Sequence, residues 1–132
     1  MERGGWLPPK PQVTKSMVVT GGGFIADIKT KSLKLTVSLH LNSIPESARF
    51  IRVTFPDGQT KARRETRVLP ITSKKDYDAT SSPMSNLKYY DSYPVLIQVT
   101  SDSSGAQVIE EMTQFVRFEL PPAIQAQLGI SN

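Results

Sequence analysis

The residue types able to do chemistry are unevenly spread. Between Arg49 and Lys75 lie eight basic residues, Arg49, Arg52, Lys61, Arg63, Arg64, Arg67, Lys74 and Lys75, against two acids, Asp57 and Glu65. The whole chain is net +4, so this segment holds a surplus of six positive charges and the remainder is net −2. A basic middle between near-neutral flanks suits an anion: nucleic acid, an anionic lipid or an acidic protein surface. It is also ordinary on the wet face of an antiparallel sheet, and most charge runs are solvated surface. Within the segment, Lys61, Arg63, Arg64 and Arg67 are the candidate residues for a partner or an anion.

Catalytic chemistry finds less support. The chain has no cysteine, which removes thiol nucleophiles, zinc–thiolate sites and disulfides together. His40 is the only histidine. A serine triad would need it beside an activated serine, and no Gly-x-Ser-x-Gly elbow occurs. Glu110 and Glu111 are adjacent on a strand pattern, so they point to opposite faces and cannot share a substrate. Asp76 and Asp78 share a face if extended, but two carboxylates fall well short of the roughly six to eight oxygens calcium takes. Gly21-Gly22-Gly23 lacks the Lys-Ser/Thr and the following helix of a phosphate loop, and reads as a turn or bulge. The chain reads as non-enzymatic, without cofactor or metal.

The elements that must position these residues are strands. Leu33, Leu35, Val37, Leu39 and Leu41 alternate with Lys34, Thr36, Ser38 and His40, giving one core face and one wet face. Met17–Thr20 and Phe24–Thr30 read as two shorter strands on either side of the glycines. Arg49–Phe55 places Ile51, Val53 and Phe55 inward. Pro56-Asp57-Gly58 is a turn signal, since Pro presets φ, Asp bonds locally and Gly tolerates φ > 0. Gln59–Leu69 reads as a charged edge strand, whose side chains discourage sheet-to-sheet pairing. Thr72–Asn86 reads as a long loop with room for one short strand or helical turn, and Leu87–Tyr90 re-enters the sheet. Asp91–Leu120 is a long hairpin turning at Asp102-Ser103-Ser104-Gly105. Pro8, Pro9 and Pro11 make residues 1–16 an extended arm. Residues 17–121 form one domain, and residues 122–132 a short tail whose Ala123–Leu128 stretch suits a helical turn. A chain of 132 residues fits a single domain that folds without a crosslink. No apolar run approaches the roughly 20 residues of a membrane helix. The compartment stays open between the cytoplasm and a secreted or periplasmic location with the leader removed.

Asp91-Ser92-Tyr93-Pro94-Val95 has the form Asp-x-Tyr-x-apolar at the start of a late strand. It resembles the motif that opens strand F of immunoglobulin-like sandwiches, fibronectin type III domains included. The resemblance implies a seven-stranded antiparallel sandwich. It implies a buried Tyr93 whose hydroxyl bonds back to the backbone. Val95 would stand where a cysteine is usual, with Val37 or Leu39 replacing the other. No tryptophan follows Leu41, because the only one is Trp6. This fold hosts many roles, so function rests on the surface. The expected role is a protein-interaction or structural module, an accessory domain of an envelope or a multi-protein assembly, which takes a partner or a second copy at its edge strand. The alternative is an OB-like nucleic-acid-binding barrel that uses residues 49–75, with Tyr89 and Tyr90 as stacking rings.

Overall fold

Two antiparallel sheets carry the chain. The computed structural model describes residues 16–120 and 122–124; the proline-rich arm expected over residues 1–16 lies outside the described residues but for Ser16. The strands are β1 (Met17–Asp27), β2 (Ser32–Leu41), β3 (Phe50–Pro56), β4 (Arg63–Pro70), β5 (Asp76–Thr80), β6 (Ser92–Thr100) and β7 (Val108–Arg117). One sheet has the order β1-β2-β5 and the other β4-β3-β6-β7. The expected all-β, seven-stranded sandwich is therefore the architecture. The five-stranded barrel is not, because the two sheets share no strand. Among the described residues, no helix is long and apolar enough to cross a membrane.

Period-two alternation builds the core. Leu35, Val37, Leu39 and Leu41 of β2 are buried, as are Ile51, Val53 and Phe55 of β3 and Tyr93, Val95, Ile97 and Val99 of β6. Val37 and Val95 are fully buried on opposite sheets, the positions at which the resemblance replaces a disulfide by apolar filling.

Three expectations change, and the room left for one short strand after Thr72 is taken up by β5. Met17–Thr20 and Phe24–Thr30 are one strand through Asp27, because the three glycines run on as extended chain. The register slips between Val19 and Gly21, so of the turn or bulge expected near the glycines the bulge is the one present. β4 starts at Arg63, so Gln59–Ala62 belongs to the preceding loop. The loop after Thr72 contains β5, which pairs with β2 and buries Tyr77 and Ala79. Leu87–Tyr90 does not re-enter the sheet; it is a turn that brings Tyr90 N–H to the Phe118 carbonyl.

Two glycines are needed for space. Gly58 keeps φ < 0, against the turn-based expectation. Its role is close approach, since a Cβ there would lie 2.0 Å from the Ser85 carbonyl oxygen. Gly105 has φ 80° and packs on Arg52, 2.6 Å from where its own Cβ would stand to Arg52 Nε. Because a backbone carbonyl cannot swing aside as a side chain does, Gly58→Ala should destabilise by about 2 kcal/mol or more. Urea denaturation should show the loss as a lowered midpoint, and a wild-type midpoint would exclude this role for Gly58.

Candidate functional site

β3 and β6 stop pairing at Thr54 and Leu96. The next pair on that face in this register is Pro56 and Pro94. Neither has an N–H to donate, so the ladder cannot continue. β6 still pairs with β7 there, Pro94 lying opposite Phe115. A depression of about 210 Å³ opens on the outer face, lined by Thr54, Phe55, Pro56, Lys61, Arg63, Pro94, Leu96 and Thr113.

Arg63 reaches this rim because of a bulge. Phe55 pairs with Glu65 and Pro56 with Arg63, which leaves Arg64 as the extra residue. The slip turns Arg63 outward while Glu65 and Arg67 stay on the inward side. Exposed Phe115 continues the apolar surface at the β7 side, and exposed Val68 lies further along β4.

The four candidate cations take different roles. Lys61 has φ 63°, and its Nζ lies 2.8 Å from Asp91 Oδ1 and 5.2 Å from the centre of the Tyr93 ring. It therefore holds the Asp-x-Tyr corner as well as lining the depression. Arg67 is half-exposed and committed to contacts at the edge of the sandwich. Its Nε donates to the Thr80 carbonyl at 3.0 Å, and its Nη2 contacts Ser82 Oγ at 3.1 Å and Glu65 Oε2 at 3.3 Å. Glu65 in turn accepts from the Ser82 N–H and hydroxyl. This bridge fastens β4 to the end of β5. Arg63 and Arg64 are exposed, and among the described residues their side chains make no hydrogen bond or ion pair. The structure thus brings Lys61 and Arg63 together at the depression, sets Arg64 beside them on the edge and separates Arg67.

The other sequence candidates are spoken for. The β2–β5 register sets His40 opposite Asp76, its Nδ1 2.8 Å from Asp76 Oδ1, while Ser38 Oγ donates to Asp78 at 2.6 Å. Sequence spacing gave no sign of the His40–Asp76 pair, which only strand pairing creates. Glu110 accepts from Ser16, and Glu111 from Gln98 at 2.8 Å. Tyr89 packs on Phe118 and hydrogen-bonds Leu120, while Tyr90 lies under the Arg117 guanidinium at 4.5 Å. Among the described residues, no group of three or more acids and histidines is placed to hold a metal ion.

Four carboxyls are held below their ordinary range: Asp57 chiefly by the Thr60 and Gln59 N–H groups, Asp102 chiefly by the Ser104 hydroxyl and the Gln107 N–H, and, nearer the candidate site, Asp91 and Glu65. The Lys61 hydrogen bond does this for Asp91, against a smaller opposing effect of burial. For Glu65, burial is the largest single influence and pushes upward, but the Ser82 hydrogen bonds with Arg67 and Arg64 together outweigh it.

No protein-family model, curated protein or solved structure matches the chain.

Two outcomes follow from the corner. The Tyr93 hydroxyl accepts from the Lys88 N–H at 2.7 Å, so Tyr93→Phe should lose about 1 kcal/mol, with an unchanged melting temperature as the contrary result. Because the folded pKa values of Asp91 and Glu65 are lowered, their stabilisation is complete above the unfolded values of about 3.9 and 4.3 and fades as pH falls through the folded ones. Thermal melts should be flat from about pH 7 to 5 and fall below about pH 4. Lys61→Met should make that acid decline shallower, and an unaltered slope would show that Lys61 does not hold Asp91.

Proposed function

We propose that this chain is a non-enzymatic interaction module of immunoglobulin-like type, working through the outer face of its four-stranded sheet. The observation that carries the reading is the depression at Pro56 and Pro94, where apolar residues, exposed Phe115 and an Arg63 without a partner among the described residues adjoin. Buried polar catalytic groups are what an enzyme site of this kind would present; here the polar groups at the rim are cations and threonine hydroxyls, suited to recognition.

The immunoglobulin-like assignment draws support from the strand order and from the corner. β1, β2 and β5 lie in one sheet and β3, β6 and β7 in the other, as in constant-type domains, with the fourth strand moved to the second sheet. Tyr93 is fully buried, and its hydroxyl bonds five residues back along the chain.

The edge strand itself is a poorer docking place than its composition promised. β4 is an edge, but the Arg64 bulge and Pro70 interrupt its flat length, and Arg63 and Arg64 crowd like charge there. These are devices that defend an edge against strand addition. The face beside it carries no such defence.

Photo-crosslinking in the native cells tests this role, with benzoylphenylalanine in place of Phe115 or, on the opposite sheet, Lys34. Adducts with another protein or a second copy at position 115, and none at position 34, are expected. No adduct at 115, or one with nucleic acid alone, would sink the reading.

A further inference from the structure

The outer face of the four-stranded sheet holds one row that crosses all four strands near the depression: Arg63 on β4, Pro56 on β3, Pro94 on β6 and Phe115 on β7. The geometry points to an extended acidic peptide as the ligand of this row, with the pattern acidic-x-apolar-x-apolar. The inference rests on the interaction-module reading and names the chemistry of the partner.

The size of the depression sets the first condition. At about 210 Å³ it falls below the roughly 300–1,000 Å³ of pockets that enclose a whole small ligand. It is the scale of a single large side chain, not of a cofactor. Its lining is mixed: Phe55, Pro56, Pro94 and Leu96 are apolar, while Lys61, Arg63 and Thr113 add cations and a hydroxyl, and the Thr54 hydroxyl is already paired with Thr66 at 2.8 Å. The occupant that suits apolar residues rimmed by cations is an aromatic side chain, whose ring packs on prolines and whose face attracts a cation.

Charge sets the second condition. Lys61 is already paired with Asp91, whereas Arg63 at the same rim has no carboxylate partner among the described residues. A guanidinium binds a carboxylate by two parallel hydrogen bonds. The partner therefore brings an acid to the β4 side of the depression.

Spacing sets the third condition and makes the pattern specific. Neighbouring strands lie about 4.8 Å apart. The depression falls midway between β3 and β6, so it stands about 7 Å from β4 on one side and about 7 Å from β7 on the other. An extended chain places alternate side chains about 6.6 Å apart on one face. An acid at Arg63, an aromatic ring in the depression and a second apolar residue on exposed Phe115 thus fall at successive alternate positions of one extended segment running across the strands.

A capped heptapeptide with glutamate, phenylalanine and leucine at alternate positions, separated by serines, is the probe. Titrated into the isotopically labelled full chain, it should give saturable amide shifts at Arg63, Leu96, Thr113 and Phe115 by about 1 mM. Arg63→Ala should weaken it about tenfold, and lysine in place of the peptide's glutamate should weaken it at least as much. Arg63 is exposed, and the variant's own spectrum reports whether it is folded. No saturable shift, shifts centred on the three-stranded sheet, or undiminished binding of the lysine peptide would overturn the inference. Crosslinks at position 115 without peptide binding would retain the module and discard this ligand chemistry; absence of both would discard the two together.

Discussion

Tyr93 is the point at which the separate parts of this fold meet. Its ring is fully buried and meets Phe24 of the opposite sheet edge-on, with centroids 5.8 Å apart. Its hydroxyl fixes the turn before β6 through the Lys88 N–H, and the Lys61 ammonium lies over its ring. One side chain thus ties β1, the β3–β4 loop and the start of β6. Tyr77 repeats the device on the other sheet: its hydroxyl accepts from the Thr72 N–H, also five residues upstream, and donates to the Lys74 carbonyl. A sandwich without disulfides must fix its crossings by other means. Here they are held by hydrogen-bonded tyrosines, each with a lysine close to its ring.

The corner also explains where the candidate site lies. Lys61 can reach Asp91 only because the loop after Gly58 folds back over the start of β6, and that loop in turn needs Gly58 to pass Ser85 without a Cβ. The same folding sets Arg63 at the rim of the depression that Pro94 also lines. Two prolines then end the β3–β6 ladder at the place where the loop arrives. The depression is therefore not an insertion into the fold but the consequence of two missing N–H groups beside a clamped loop.

Much of this was legible in the sequence, and the unread parts share a cause. Alternation gave Leu33–Leu41, Arg49–Phe55 and the β6–β7 hairpin, because a buried face leaves its period in the residue types. Asp91-x-Tyr93 gave the corner. β5 stood only as one short strand or helical turn within a long loop, because its five residues bury only Tyr77 and Ala79 and its other face is largely acidic. Gly21-Gly22-Gly23 concealed the length of β1, since glycine marks turns and extended chain alike. Pro56 and Pro94 lie 38 positions apart, and their opposition depends on strand register, which no local pattern records.

Charge shows the same limit most sharply. The six-charge surplus between Arg49 and Lys75 counts side chains by sign and not by commitment. Arg49 donates to the Glu46 and Ala48 carbonyls, Arg52 to that of Ser103, Lys61 pairs with Asp91, and Arg67 closes the sandwich on Glu65 and Ser82. A cation whose donors are spent on backbone carbonyls keeps its charge but offers little directional bonding to a ligand. The segment's long-range field is then that of the full surplus, while its capacity for specific contact lies in Arg63 and Arg64 near the depression and in the exposed Lys74 and Lys75 of the loop before β5. Under the proposed interaction role, a broad field with few free donors at the depression would steer an acidic partner from a distance and hold it at one place. That combination favours a ligand with a single well-placed carboxylate over a polyanion, whose regularly spaced phosphates would need many free cations to match.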